Sequence, residues 1–162
     1  MNQMLIATKS SRINISEEKK TKAIAKIFAK NIKAGDVLFF KGELGVGKTT
    51  FIKYLINFLQ EDKKYPITEI PSPTFNLVNE YQIGSLILKH YDLYRINNEK
   101  ELNSIGIFEY NSEQITLIEW PDIIKQNKIK NIINLHFEYD EDYNNRFLNI
   151  SSDNKIIFLD EL

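Results

Sequence analysis

Apolar residues recur along this chain in two rhythms, and the change from one to the other predicts its elements. From residue 16 the rhythm is helical: Ile24, Ile27, Phe28 and Ile32 return at three- to four-residue intervals, Ser16 offers an N-cap hydroxyl, and Glu17 and Glu18 suit the positive first turn. Gly35 and Asp36 break that pattern. VLFFKG (37–42) is then a short, nearly unbroken apolar run that reads as a buried strand, and KTTFIKYLINFL (48–59) places Phe51, Leu55, Phe58 and Leu59 on one side of a second helix. A further apolar strand is predicted in ITLIEWP (115–121), with Ile115, Leu117 and Ile118 buried, Glu119 at its carboxyl end and Pro121 stopping it. Between these lie SPTFNLVNEY (72–81) and KHYDLYRI (89–96), separated by Gly84-Ser85, a two-residue turn that predicts an antiparallel hairpin.

Composition narrows what these elements can serve. A chain of 162 residues reads as one domain, with room for a real core but not for a helicase or transporter ATPase. With 21 basic and 22 acidic residues mixed along it, the chain has neither the basic excess nor the basic stripe of a protein that grips nucleic acid by itself. Its densest basic stretch, KQNKIKN (125–131), reads as a solvated face. Cysteine is absent, which removes disulfides and thiolate metal sites and suits a reducing cytosol. No apolar run reaches membrane-spanning length, and MNQMLIATKS lacks the apolar core of a signal peptide. The expectation is a soluble cytoplasmic protein without membrane contact.

The link between the first strand and the second helix carries the chemistry. GELGVGKTT (42–50) fits G-x-x-x-x-G-K-[ST], the P-loop pattern, in the strand–loop–helix order that the pattern requires. Gly42, Gly45 and Gly47 let the backbone N–H groups turn inward around phosphates, and the helix N-terminus adds its partial positive charge. Lys48, expected to be exposed at the helix start, then reaches the β- and γ-phosphates, and the Thr49 hydroxyl ligates Mg²⁺. A second metal ligand is expected at the end of an apolar strand, where Glu119 stands; direct ligation, ligation through a water and a plain lysine pair all remain open for it. Thr74 and Asp92, on the hairpin between these motifs, are candidates for sensing the γ-phosphate and orienting water. His90 reads as a core or surface histidine and Trp120 as a packing residue.

Four motifs, GELGVGKTT, SPTF, HYDLYR and IEWP, stand in the order and spacing of one family, and together they closely resemble the TsaE (YjeE) family, bacterial ATPases required for threonylcarbamoyladenosine formation in tRNA. The resemblance covers nearly the whole chain; Glu43 and Val46 replace the family's usual Asp and Ala and leave the loop glycines in place. It implies an α/β fold, a P-loop NTPase-like three-layer sandwich whose mixed central sheet includes an antiparallel hairpin, as a single ATPase domain over residues 1–162. It implies ATP/ADP bound by Glu43, Leu44, Gly45, Val46, Gly47, Lys48, Thr49 and Thr50, with Mg²⁺ held by Thr49 and Glu119. Asp92 would be needed for hydrolysis beside Lys48 and Glu119, Thr74 would lie in a switch-like segment, and Trp120 would be functionally important. DEDYNNRFLNI (140–150) matches a family hairpin that usually reads Gly-Arg, here Asn145-Arg146, so Arg146 would lie against the base, with Ile15 and Ser16 on the pocket's other side.

The partners implied are homologues of TsaB and TsaD, whose heterodimer transfers the threonylcarbamoyl group; tRNA would be met only through TsaD, and hydrolysis here would reset that enzyme. With three arginines in the chain and no arginine finger evident, slow turnover alone and stimulation by the partners are expected. A small-molecule kinase would need an arginine-rich lid, and a GTPase an N-K-x-D motif, which NKIK and NKII both fail. A nucleotide-gated binding module in which hydrolysis is incidental needs the same phosphate site and stays open as the alternative.

Overall fold

VLFFK forms the middle of a mixed sheet in the computed structural model, which describes residues 5–6, 11–109, 112–125, 128–152 and 157–158. In chain order the elements are β1 (Leu5–Ile6), β2 (Ser11–Asn14), α1 (Glu18–Asn31), β3 (Val37–Lys41), α2 (Lys48–Asp62), β4 (Val78–Ile83), β5 (Leu86–Asp92), α3 (Glu99–Ser104), β6 (Gln114–Glu119), β7 (Ile132–Tyr139), β8 (Arg146–Ser152) and β9 (Ile157–Phe158). Among the described residues seven strands make one sheet in the order β2-β8-β7-β3-β6-β5-β4, and β1 pairs with β9 separately. The four central strands, β7, β3, β6 and β5, run parallel, while β4, β8 and β2 pair antiparallel at the flanks. Every position of β6 is buried, as expected of a strand covered on both faces.

Strand alternation sorts the core into two halves. Leu38 and Phe40 of β3 and Ile115 and Leu117 of β6 face α1 and α2, packing with Ile24, Phe28, Phe51, Ile52 and Leu55. Phe39 and Ile118 point the other way, into a second cluster with Tyr91, Leu93, Leu102 of α3 and Ile124. Phe51 meets both Phe28 and Phe137 edge-on, with ring centroids 5.4 and 5.9 Å apart, so α2 is wedged against α1 and β7 by aromatic contacts. Helix α2 therefore begins at a fixed point above the carboxyl end of β3. Among the described residues, no helix is long and apolar enough to cross a membrane.

Several expectations are corrected by this arrangement. Ser16 does not cap α1: Glu17 holds the N-cap position without a side-chain cap bond, and the Ser16 hydroxyl instead accepts from the Arg146 N–H at 3.0 Å. The helix stops at Asn31, before the Gly35-Asp36 break, and Ile32 enters the core as extended chain. In α2 the fully buried residues include Ile52 and Ile56, whereas Phe58 packs only at the rim of the core. The Gly84-Ser85 hairpin forms, with Ile83 opposite Leu86, but its strands are shorter on the open side than the two motifs. Residues 72–77 are loop because Pro71 and Pro73 cannot donate to a ladder, and the chain turns again after Asp92 through Ile96 N–H to Leu93 C=O. In the basic stretch 125–131, residues 126 and 127 lie outside the described residues.

Candidate functional site

Register brings the site together. Phe40, Glu119 and Asp92 are direct neighbours across β3, β6 and β5, so the glycine loop and both carboxylates leave the same edge of the parallel strands. Residues 42–47 form the loop, with Gly42, Gly45 and Gly47 all at positive φ and Gly47 serving as the left-handed N-cap of α2. Gly42 is needed for a second reason: a Cβ there would lie 2.2 Å from the Phe137 carbonyl oxygen, so no side chain fits where β3 passes β7.

Lys48 is not exposed as expected; it is 4% exposed, and its side chain folds back over its own loop. Its Nζ donates to the carbonyl oxygens of Gly42 at 2.7 Å and Glu43 at 2.8 Å and stands 4.0 Å from the centre of the Trp120 ring. Burial pushes the Lys48 ammonium below the ordinary lysine range, and the carboxylates of Glu119, Asp92 and Asp122 partly offset that. The ammonium is thus partly desolvated, with its donors on loop carbonyls that an anion can replace.

Thr49 and Glu119 meet directly, the Thr49 hydroxyl lying 2.9 Å from Glu119 Oε2 and 3.0 Å from Oε1. Glu119 is almost fully buried and also takes His90 Nε2 on Oε1 at 2.8 Å. This pair of hard oxygen donors fits Mg²⁺, which keeps several waters and takes phosphate oxygens instead of needing an all-protein cage; among the described residues no cluster of three or more His, Cys, Asp or Glu forms such a cage. Asp92 is held through both oxygens: Oδ2 accepts from the Thr74 hydroxyl at 2.8 Å and Oδ1 from the Tyr94 N–H at 3.0 Å. Thr74 in turn shares a 2.8 Å contact with the Ser72 hydroxyl. One cleft is lined by Gly45, Gly47, Lys48, Thr49, Thr74, Asp92, Glu119 and Trp120, together with Leu44, Thr50 and Ser72. A larger cavity beside Val37, Ile107 and Gln114, at the amino ends of the same strands, carries none of the motif residues.

Of the remaining candidates, Glu43 is exposed and Val46 lies wholly in the core, so only the backbone of Val46 is available to a ligand. Ile15 is likewise buried, but the structure does bring Ile15 and Ser16 beside Asn145 and Arg146: the Ile15 N–H donates to the Arg146 carbonyl at 2.8 Å. The Arg146 guanidinium lies 5.7 Å from the Tyr139 ring centre. Sequence reasoning missed three contributors. Tyr139 donates to the Gly45 carbonyl at 3.1 Å and Tyr143 to Glu43 at 3.3 Å, so the hairpin of β7 and β8 props the loop from outside. The third is His90, a fully buried core histidine whose contact with Glu119 follows from the parallel register of β5 and β6 and not from any local motif.

Comparison with known proteins gives a consistent result. The sequence model of a family described as "Threonylcarbamoyl adenosine biosynthesis protein TsaE" matches residues 15–148. A relative from Bacillus subtilis, named tRNA threonylcarbamoyladenosine biosynthesis protein TsaE, is 44% identical over 108 residues, covering 65% of this chain and 63% of its own length. A protein of the same name from Rickettsia typhi is 36% identical over 140 residues, covering 86% of this chain and 94% of its own. Among solved structures, the crystal structure of Bacillus subtilis YdiB superposes with a TM-score of 0.64 at 29% identity, over 89% of this chain and 86% of that one.

Proposed function

The chain belongs to the TsaE family of tRNA threonylcarbamoyladenosine biosynthesis, and from that premise we propose that it is the Mg²⁺-dependent ATPase subunit of that machinery, docking on homologues of TsaB and TsaD and resetting them by ATP hydrolysis. The observation that carries the reading is the meeting of Thr49 and Glu119, residues seventy apart in sequence. It joins the end of the glycine loop to the end of β6 at the one place where a triphosphate and its metal would share ligands. A core flanked by α1 and α2 on one face of the sheet and α3 on the other supports reading the fold as a three-layer, P-loop NTPase-like sandwich.

In this reading the loop backbone of residues 43–50 cradles the phosphates, and Lys48 exchanges its bonds to the Gly42 and Glu43 carbonyls for β- and γ-phosphate oxygens. Thr49 and Glu119 would hold Mg²⁺, which would supply neutralisation of phosphate charge. Asp92, fixed by Thr74 and the Tyr94 N–H, keeps lone pairs free to accept from the attacking water and orient it. Arg146, Ile15 and Ser16 flank the base. Among the described residues lining the cleft Lys48 is the single cation, which supports slow hydrolysis by the subunit alone.

The rim supports a protein partner. Leu44 and Phe75 are 74% and 83% exposed, and Tyr94 also stands largely in solvent, all three on or next to residues of the cleft, while the exposed Tyr143 reaches Glu43 of the loop. Apolar side chains gathered at the edge of a site mark an interaction surface. Docking there would act on the Thr74 segment while it holds Asp92, and tRNA would be reached only through the TsaD homologue.

Phosphate release measured against concentration of the TsaB and TsaD homologues tests the proposal. Turnover is expected to be slow alone and to rise as the partners saturate, with the complex captured in ATP and weakly in ADP. Capture that depends on ATP with no rise in phosphate release would leave a nucleotide-gated binding module in which hydrolysis is incidental, and equal capture in both nucleotides with no rise would sink the coupling and leave only an ATP-binding protein.

A further inference from the structure

We propose that His90 is a positioning residue for the metal-binding carboxylate, clamping Glu119 through Nε2–H donated to Oε1 so that Oε2 is kept for the cation. The inference deepens the function proposed above and rests on its assignment of Glu119 to the metal. Two alternations produce the contact. His90 lies two residues before Asp92 on β5, and Glu119 pairs with Asp92 across the parallel β5–β6 ladder, so His90 and Glu119 are diagonal neighbours on the face covered by α2. His90 is 0% exposed and its Nε2 is 2.8 Å from Glu119 Oε1.

His90 Nδ1 is buried and has no hydrogen-bond partner among the described residues. Because a carboxylate oxygen only accepts, the 2.8 Å contact with Glu119 Oε1 places a hydrogen on Nε2 and makes the ring the donor. Among the described residues His90 thus bonds Glu119 alone, and its polar group serves no other contact.

Glutamate needs such a clamp more than aspartate would, because its extra methylene adds a rotatable bond between the strand and the carboxylate. Thr49 alone does not orient the group, since its single hydroxyl hydrogen is shared between two oxygens at nearly equal distances, 2.9 and 3.0 Å. The histidine breaks that near-symmetry by loading Oε1. A hydrogen-bonded ligand carboxylate of this kind gains both orientation and metal affinity from its outer partner.

The test uses the full chain and Mn²⁺ as the probe, with free Mn²⁺ followed by electron paramagnetic resonance in the presence of ADP. His90→Leu is expected to weaken Mn²⁺ binding by about ten- to a hundredfold while leaving metal-free ADP affinity unchanged, and His90→Gln, whose amide nitrogen reaches the place of Nε2, is expected to recover most of that loss. Wild-type Mn²⁺ affinity in His90→Leu, or His90→Gln as weak as His90→Leu, overturns the inference. Should the leucine variant not fold, nitrogen-15 shifts of the wild-type ring decide: the proton is expected on Nε2, and a proton on Nδ1 refutes the clamp. The only other histidine, His136, is exposed, so the two rings are readily told apart. If wild-type protein binds no Mn²⁺ with ADP, it is the assignment of Glu119 to a metal that falls, and the clamp falls with it.

Discussion

Lys48→Ala is expected to weaken ATP binding by about a thousandfold, the loss of two charge-assisted hydrogen bonds to phosphate. The fold should survive. In the ligand-free chain Lys48 is a partly desolvated cation whose donors rest on the Gly42 and Glu43 carbonyls, and desolvation already lowers its pKa. Removing it relieves that cost and leaves two carbonyls at the edge of an open cleft, where water can reach them, so stability should change by only about 1 kcal/mol. Calorimetric titration with ATP and urea unfolding of the same sample separate the two effects. Unchanged affinity would remove the phosphate assignment of the loop; a lost unfolding transition would show that Lys48 is a structural residue.

Asp92→Asn is the second large effect and should divide binding from chemistry. The amide keeps an oxygen that can accept from Thr74 or Tyr94 and removes the charge, so ATP should bind with nearly native affinity while hydrolysis falls by about a hundredfold, the scale of a positioned acid–base group. Thr74 and the Tyr94 N–H occupy one carboxylate oxygen each, and the asparagine can keep both contacts, its oxygen accepting from the Tyr94 N–H and its NH2 donating to the Thr74 hydroxyl, so the loss of charge is the main change. Single-turnover phosphate release beside ATP calorimetry reads the division. Native turnover would make Asp92 structural, and loss of ATP binding would move it to the metal.

What could be read from the sequence was local, and the rest was the work of register. The β3–loop–α2 unit, the Gly84-Ser85 turn and the buried β6 each announce themselves within a dozen residues, through apolar runs, glycines and a terminating proline. The overlong hairpin strands were avoidable, since Pro71 and Pro73 already argued against a paired strand there. Helix α3 was missed because six residues give no period to detect; its one signal was Asn98 with Glu101 three places on, and the Asn98 side chain does accept from the Glu101 N–H at 3.1 Å. By contrast, the pairing of β2 with β8, the props from Tyr139 and Tyr143, and the approach of His90 to Glu119 depend on which strands lie side by side. The burial of Lys48 was misjudged for a related reason. Here the helix start is met by Trp120, the residue just past the end of β6, whose backbone turns through the left-handed region at φ +58° and whose ring lies 4.0 Å from the ammonium.

That turn gives the molecule an optical property of its own. Trp120 is the only tryptophan in the chain, and its indole sits 4.0 Å from the Lys48 ammonium with the Tyr94 ring 4.9 Å away on centres. The emission of an indole responds to the electric field and the solvent around it, and both change when phosphates draw the ammonium off the ring. Unlabelled protein should therefore show a shift in tryptophan fluorescence on titration with ATP, and a Lys48→Ala sample should stay flat over the same range.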